Sequence, residues 1–277
     1  MIENNRIKSK KISNNIHQVN LSIMKKTQLL NFLIIIIIGS ACLRLHAQES
    51  AISWDYPIKP GSKEWNKRED RQNFMAGLRI MNIPPDTLEL INTEHLSRVC
   101  LNYPFWPLVF SRNSLQQGYN LIKNNFNGFR ELENRSNAAQ YILQEYKKMD
   151  PDDFKPGSSL AQKGEYMARF TFIELLLAQH KIIDNVNEDV RKQIIEESLK
   201  KFREKLKIRS YGIEGLVTTT FLMARFANNL NGSQNLFKEI PENEDFLNNC
   251  KEINVKPMID IANKTENFIR NKGYFVY

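Results

Sequence analysis

Apolar residues recur every three to four positions along most of the chain after residue 70, which is the spacing of a helix with one buried face. The clearest example is 187–209, where Ile194 and Phe202 belong to an apolar stripe, while Glu197 and Lys201 are expected to pair on the exposed face. No segment alternates apolar and polar residues for long enough to build a sheet. The pattern predicts an all-α fold, arranged as an irregular α-α superhelix or a helical bundle.

Capping residues and chain breaks divide this helical region. Four polar residues precede apolar helical periods and predict helix starts: Thr93, Ser114, Ser159 and Asn187. The stretch 150–157 contains two prolines and a glycine, which is typical of a linker. We therefore predict an N-terminal helical subdomain over 70–150, a linker over 151–158 and a C-terminal helical subdomain over 159–277.

Residues 48–69 do not follow the helical pattern, because Ser53–Gly61 contains two prolines that favour extended backbone. We predict an extended, proline-rich arm that lies across the helical body with its aromatic side chains covered. The apolar block 105–110 is expected to form a short helix or turn in the core. The alternative is an exposed strip that recognises a partner, and it makes four aromatic residues candidate binding residues: Trp54, Tyr56, Trp65 and Trp106.

The segment Met24–Ala47 has the layout of a bacterial export signal, with two lysines, an apolar run over Leu29–Ala41 and a small residue at its end. The run is about 13 residues long, whereas a membrane-spanning helix requires roughly 20. We predict cleavage after Ala47 and a mature protein without an integral membrane span. Its expected location is the periplasm, the outer membrane surface or the outside of the cell.

Two alternatives for the leader remain open. Gly39–Cys42 resembles a lipoprotein signal, in which Cys42 is lipidated and anchors the mature chain. The second alternative is an uncleaved anchor. Residues 1–23 are polar and basic, and we interpret them as a disordered segment or as the product of an upstream start codon, with Met24 as the true first residue.

The formal charge of +8 is concentrated in the leader. Residues 1–47 contain seven Lys and Arg but one acidic residue, which leaves a net charge of only +2 on 48–277. A nearly neutral mature chain gives no electrostatic support for nucleic-acid binding. We therefore expect no nucleic-acid partner.

The mature region contains two cysteines and two histidines. Cys100 and Cys250 either form a disulfide in an oxidising compartment or occupy separate apolar positions in the core, and we favour the second alternative. His95 and His180 are far apart in sequence and have no cysteine or carboxylate at ligand spacing. The sequence thus predicts neither a metal site nor a cofactor.

Two charged residues, Glu174 and Arg225, lie within strongly apolar helical segments. Since buried charges are usually paired, we expect their helices to be antiparallel neighbours and the two side chains to form a partly buried ion pair. The catalytic alternative makes Glu174 a desolvated general acid or base, with His180 or Tyr166 beside it. We favour the structural role, because the sequence contains no catalytic motif and does not bring a set of polar groups together.

Three strings of uncommon residues resemble an uncharacterised family of exported helical proteins from Bacteroidetes-type bacteria. They are Trp54–Gly61 followed by Glu64-Trp65, then Cys100–Pro104, and then Phe126–Leu132. The resemblance covers about 51–150 and is thin beyond it. It implies an envelope or extracellular setting and supplies no catalytic residue.

These observations favour a non-enzymatic module of the bacterial envelope that binds or scaffolds another envelope protein. The main alternative is a hydrolase of an envelope polymer, with Glu174 or Glu131 as its acid or base. A third hypothesis is a structural domain of a larger assembly.

Overall fold

In the computed structural model, which describes residues 52–70, 72–153, 157–233, 235–240 and 243–272, every regular element is a helix. The all-α prediction is confirmed. The α-helices are α1 (Lys63–Asn66), α2 (Phe74–Arg79), α3 (Pro85–Leu90), α4 (Thr93–Leu101), α5 (Leu115–Asn125), α6 (Asn127–Asn134), α7 (Ala138–Lys148), α8 (Leu160–Leu177), α9 (His180–Asn185), α10 (Glu188–Lys207), α11 (Glu214–Asn228), α12 (Asn243–Asn249) and α13 (Val255–Asn271), with 3₁₀ helices at Trp106–Phe110 and Arg209–Tyr211.

The predicted leader over 24–47, the lipidation candidate Cys42 and the segment 1–23 lie outside the described residues. Among the helices of the described ranges, none combines the length and apolar character that a membrane span requires.

The helix starts follow from local hydrogen bonding. Ser114, Ser159 and Asn187 cap α5, α8 and α10 as predicted, each accepting a hydrogen bond from a backbone N–H in the first turn. The prediction that Thr93 is a cap is wrong by one residue. Asn92 takes this role in α4, and its Oδ1 lies 2.8 Å from the backbone nitrogen of His95.

Helix α11 forms the centre of the described fold. Twelve of its 15 residues are buried, and it packs against α8, α10, α12 and α13. The N-terminal helices join this body through α5 and α7, which pack against α8. The buried side chains form one hydrophobic core, to which helices on both sides of the predicted linker contribute.

The 3₁₀ helix at Trp106–Phe110 confirms the expected short helix in the core, since Trp106 and Val109 are buried. It lies directly on α5 at Gly118, where a Cβ atom would come within 2.0 Å of the Val109 carbonyl oxygen. Only glycine permits this approach. The contact fixes the 3₁₀ helix so that Phe110 points outward with 48% of its surface exposed.

Of the extended arm predicted over 48–69, residues 52–62 are non-helical and are held against α4, whereas Lys63–Asn66 form helix α1, which corrects the prediction. The imidazole Nε2 of His95 lies 3.0 Å from the backbone nitrogen and 2.9 Å from the backbone oxygen of Trp54. The Tyr56 hydroxyl is buried and donates a hydrogen bond of 2.7 Å to the Val99 carbonyl oxygen. Polar contacts between one side chain and the arm backbone therefore supplement the aromatic packing.

We predict that His95→Ala loosens the arm without unfolding the helical body. The substitution removes the imidazole contact with the Trp54 backbone, so chymotrypsin is expected to cleave after Trp54 faster than in the native chain. Limited proteolysis followed by mass spectrometry measures this rate. The matched control is Glu94→Ala, one residue away, whose carboxylate contacts only Arg98 at the surface. Equal cleavage rates in both variants would contradict the assignment.

Candidate functional site

The most deeply buried polar cluster surrounds Glu174, whose side chain has 0% exposure. Its Oε1 lies 2.9 Å from Nζ of Lys205, and its Oε2 lies 3.1 Å from the same nitrogen. Three hydroxyl groups also donate hydrogen bonds to this carboxylate, at distances of 2.7 to 2.8 Å: Tyr146, Thr218 and Thr219. The cluster joins side chains of α7, α8, α10 and α11.

Every polar atom of this cluster has a partner, and burial shapes its electrostatics. The ammonium of Lys205 also donates a hydrogen bond to Thr219 and lies 4.5 Å from the centre of the Phe170 ring. Burial lowers the pKa of Lys205, although the adjacent Glu174 opposes this effect. Burial and the charge of Glu174 both raise the pKa of Tyr146. A sealed and fully bonded carboxylate cannot reach a substrate, so the cluster has a structural role.

The prediction of an ion pair between Glu174 and Arg225 is wrong, because their helices, α8 and α11, run parallel and not antiparallel. Thr218 of α11 lies beside Glu174, and Arg225 further along α11 contacts Ala178 at the end of α8. Residue numbers rise together along both helices. Arg225 is about 9 Å further along the axis than Thr219, at 1.5 Å per residue, and therefore misses Glu174.

Arg225 instead binds the carboxyl ends of two helices. Its guanidinium donates to the carbonyl oxygens of Ala178 and Leu247, each at 2.8 Å, and lies 4.1 Å above the Phe221 ring. Carbonyl groups at helix C-termini lack partners and carry partial negative charge, so they suit a cation. Burial lowers the pKa of Arg225 to about 10.

The catalytic candidates proposed from sequence do not come together. His180 begins α9 and lies with Arg225 in a polar cavity of about 330 Å³, whereas Glu174 is sealed inside the core. The Tyr166 hydroxyl donates to the backbone oxygen of Asp150. Glu131 pairs with an arginine four residues further along, Arg135. None of these groups joins a shared acid–base site in the described structure.

The four aromatic binding candidates mostly hold the arm and the 3₁₀ helix in place. Tyr56 and Trp106 are buried, whereas Trp54 and Trp65 are half-buried. Trp65 packs 5.5 Å from the Phe105 ring, and Trp54 packs 4.8 Å from Tyr56. Trp54 and Tyr56 also border a cavity of about 620 Å³ between the arm and α4. These side chains are largely covered, as predicted for the arm, and the alternative of an exposed aromatic strip does not fit them.

Both described cysteines are buried and unpaired, as favoured from the sequence. Burial raises the pKa of the Cys100 thiol and of the Cys250 thiol, which keeps both protonated at neutral pH. Cys250 adopts a left-handed backbone conformation, with φ of 50°, immediately after α12. Among the described residues, no group of three potential metal-binding side chains occurs.

The best candidate for a binding site is an open cleft of about 450 Å³, which we name the α8–α11 cleft. It lies where the first 3₁₀ helix, the start of α5, the middle of α8 and the start of α11 meet. Its apolar lining consists of Phe110, Leu115, Met167, Ala168, Tyr211, Gly215 and Val217. Its charged rim consists of Arg112, Glu214, Lys251 and Glu252.

The shape of the cleft depends on the contact between Tyr211 and Gly215. A Cβ atom at position 215 would lie 2.6 Å from the Tyr211 ring, so glycine lets the ring pack against the first turn of α11. The Tyr211 hydroxyl donates to the Pro151 carbonyl oxygen at 3.1 Å. Tyr211 thereby fixes one wall of the cleft to the chain that follows α7.

Sequence reasoning missed the partner of Glu174 and the cleft. Lys201 was expected on the exposed face of α10, yet Lys201 and Lys205 each have 1% exposure. Both lysines follow Ile194 and Ser198 at helical spacing and therefore continue the buried stripe of α10. This spacing is the signal in the sequence that could have indicated their burial. The cleft combines residues from four separate segments of the chain, and no local pattern indicates such a site.

We predict that the buried ion pair is strongly coupled. Glu174→Gln leaves the Lys205 ammonium without its counter-charge and is expected to cost about 3–5 kcal/mol of unfolding free energy. The double variant Glu174→Gln/Lys205→Met removes the unpaired charge, so it should lose less than the sum of the two single variants. Urea unfolding measures all three. Glu145→Gln, which affects a surface pair with Lys148, serves as the control. Additive losses would refute the coupling.

We predict that His180 titrates below the ordinary histidine value of about 6.5. Partial burial is the main cause of its lowered pKa, and the charge of Arg225 is the next. Because the folded state disfavours the charged imidazole, this residue should make the fold less stable as pH falls below about 6.5. NMR titration of the ring protons measures the midpoint. Arg225→Met should raise it, whereas Arg225→Lys keeps the charge and should raise it less.

Comparison with known proteins adds no assignment to this geometry. No protein-family model matches the chain, and neither a curated protein nor a solved structure matches it significantly. The resemblance to an exported envelope family therefore stays a prediction.

Proposed function

We propose that this chain is a non-enzymatic binding module of the bacterial envelope, which holds a segment of a partner protein in the α8–α11 cleft. The envelope location follows from the export signal that the sequence predicts over 24–47. The cleft supplies the binding surface. The partner is an envelope protein that presents an apolar side chain between charges of both signs.

The observation that carries this proposal is the combination of an apolar floor with a mixed-charge rim. Phe110 and Met167 offer apolar surface in the cleft, and Phe110 is 48% exposed. Binding pockets typically combine such surface with a few polar groups that fix orientation. The rim carries charges of both signs. Arg112 and Lys251 are positive, whereas Glu214 is negative. A protein segment with charges of both signs complements this rim.

The character of the buried groups favours binding over catalysis. Glu174 is enclosed and bonded on both oxygens, and the Cys250 thiol is protonated at the cleft wall. A catalytic centre needs a nucleophile, an acid or a base that reaches its substrate in a suitable protonation state. Neither group meets this requirement.

One observation favours the hydrolase alternative. Glu214 and Glu252 lie on the rim of the same cleft, and hydrolases of sugar polymers use two carboxylates across a cleft. In such enzymes one carboxylic acid is kept protonated by an apolar environment. Both glutamates here are exposed to solvent. Binding is therefore our first proposal.

The test is site-specific photocrosslinking inside the cells that naturally make the protein. A photoreactive amino acid replaces Ser210, an exposed residue at the edge of the cleft. We predict that it captures one envelope protein, and that a second substitution, Phe110→Glu, reduces the adduct by about tenfold because it places a charge on the apolar floor. Mass spectrometry identifies the adduct.

The control places the same photoreactive group at Lys200, an exposed position on α10 away from the cleft. Identical adducts from positions 210 and 200 would overturn the proposal. An adduct that contains only copies of this chain would contradict the proposal that the cleft binds a different protein. Turnover of an envelope polymer that Glu214→Gln or Glu252→Gln abolishes would favour the hydrolase instead.

A further inference from the structure

A polar cavity lies where α9, the end of α11 and α12 meet, and we name it the α9–α12 pocket. Its volume of about 330 Å³ is the space of about ten water molecules, at roughly 30 Å³ each. That size suits a small molecule. The pocket shares no lining residue with the α8–α11 cleft, so it is a separate candidate for binding.

Arg225 supplies the pocket with a buried positive charge that no carboxylate neutralises. The residue is 6% exposed, and within the described ranges its guanidinium bonds only to uncharged oxygen atoms. Two of these bonds are long, at 3.4 Å, to Oε1 of Gln116 and to the carbonyl oxygen of Asn248. A buried charge is costly unless a counter-charge and full hydrogen bonding replace water. A carboxylate on a ligand would supply both, because its two oxygens match the planar guanidinium.

Glu244 places a negative charge on the same pocket. It is exposed in the first turn of α12, and its carboxylate has no hydrogen bond or ion pair to any residue that the structure describes. Glu244 and Asn248 are four residues apart on α12 and therefore share one face, about 6 Å apart along the axis. Because Asn248 is the residue that contacts Arg225, the pocket presents unpaired charges of both signs about one helical turn apart.

Amide groups make up much of the remaining lining. Three asparagines contribute to it: Asn228, Asn229 and Asn248. The Oδ1 atom of Asn229 accepts a hydrogen bond from Arg191, which leaves its amide nitrogen as a donor. Since amides both donate and accept, they complement an uncharged polar group better than a purely apolar one.

We propose that the α9–α12 pocket binds a free α-amino acid with an uncharged polar side chain. The carboxylate of the ligand binds Arg225, its ammonium group binds Glu244, and its side chain contacts the asparagine amides. A simple anion would be repelled by Glu244 and a simple cation by Arg225, whereas a zwitterion is attracted by both. This inference does not require a partner protein in the α8–α11 cleft.

The first experiment lets the full chain select its ligand from an equimolar mixture of all standard L-amino acids. Saturation-transfer NMR detects those that contact the protein. We expect at least one amino acid with an uncharged polar side chain to receive saturation. Saturation of none of them, or of apolar or charged amino acids only, would overturn the proposal.

The second experiment compares variants in their affinity for the selected amino acid, measured by calorimetry. Glu244→Gln removes the charge that faces the ammonium group and should weaken binding about tenfold. Arg225→Lys keeps a positive charge but loses the planar fork, so it should also weaken binding about tenfold. The matched control is Asp245→Asn, since Asp245 is the next residue of α12, pairs with Lys251 and does not line the pocket. Circular dichroism checks that every variant remains folded.

The third experiment tests each charge of the ligand. Two analogues of the selected amino acid are compared with it, one without the amino group and one without the carboxyl group. Each should bind about tenfold more weakly. Analogues that bind as tightly as the amino acid, or equal affinities of Glu244→Gln and Asp245→Asn, would overturn the proposal. Neither result alters the photocrosslinking test at Ser210, so this inference and the proposed function fail separately.

Discussion

The carboxylate of Glu174 and the ammonium of Lys205 form the interaction on which the packing of the C-terminal helices depends. A charge in the core is costly unless a counter-charge and hydrogen bonds replace water. Here the hydroxyls of Tyr146, Thr218 and Thr219 complete that replacement. Because the five groups come from four helices, the carboxylate has its full set of partners only when all four are correctly placed. The cluster thus specifies one arrangement of helices whose apolar surfaces alone would permit several.

The same constraint determines where a ligand has access. Helix α11 is buried along most of its length by the helices packed around the cluster, and its first turn remains open beside Tyr211 and Gly215. At the other end of α11, Arg225 joins the carboxyl ends of α8 and α12 and closes the structure. The polar interior therefore stabilises the fold, whereas recognition of a partner protein is left to an apolar surface with a charged rim.

The helical class and three helix starts were predictable because they depend on local chemistry. The period of apolar residues and the caps at Ser114, Ser159 and Asn187 need no knowledge of the rest of the chain. Pairing across helices was not predictable in this way. Whether Glu174 contacts Arg225 or Lys205 depends on whether α8 and α11 run parallel or antiparallel. The sequence of a single helix does not determine this relative direction. The cleft has the same character, since its walls come from distant segments.

The burial of both cysteines has a consequence for the lifetime of the folded chain. A thiol enclosed by helices reacts with an external oxidant only after the surrounding packing opens, so its rate of modification follows the frequency of opening. In an oxidising compartment, a molecule that opened would be captured as a mixed disulfide while its folded neighbours stayed intact. In such a compartment, modification of Cys100 or Cys250 would therefore mark molecules whose core had opened.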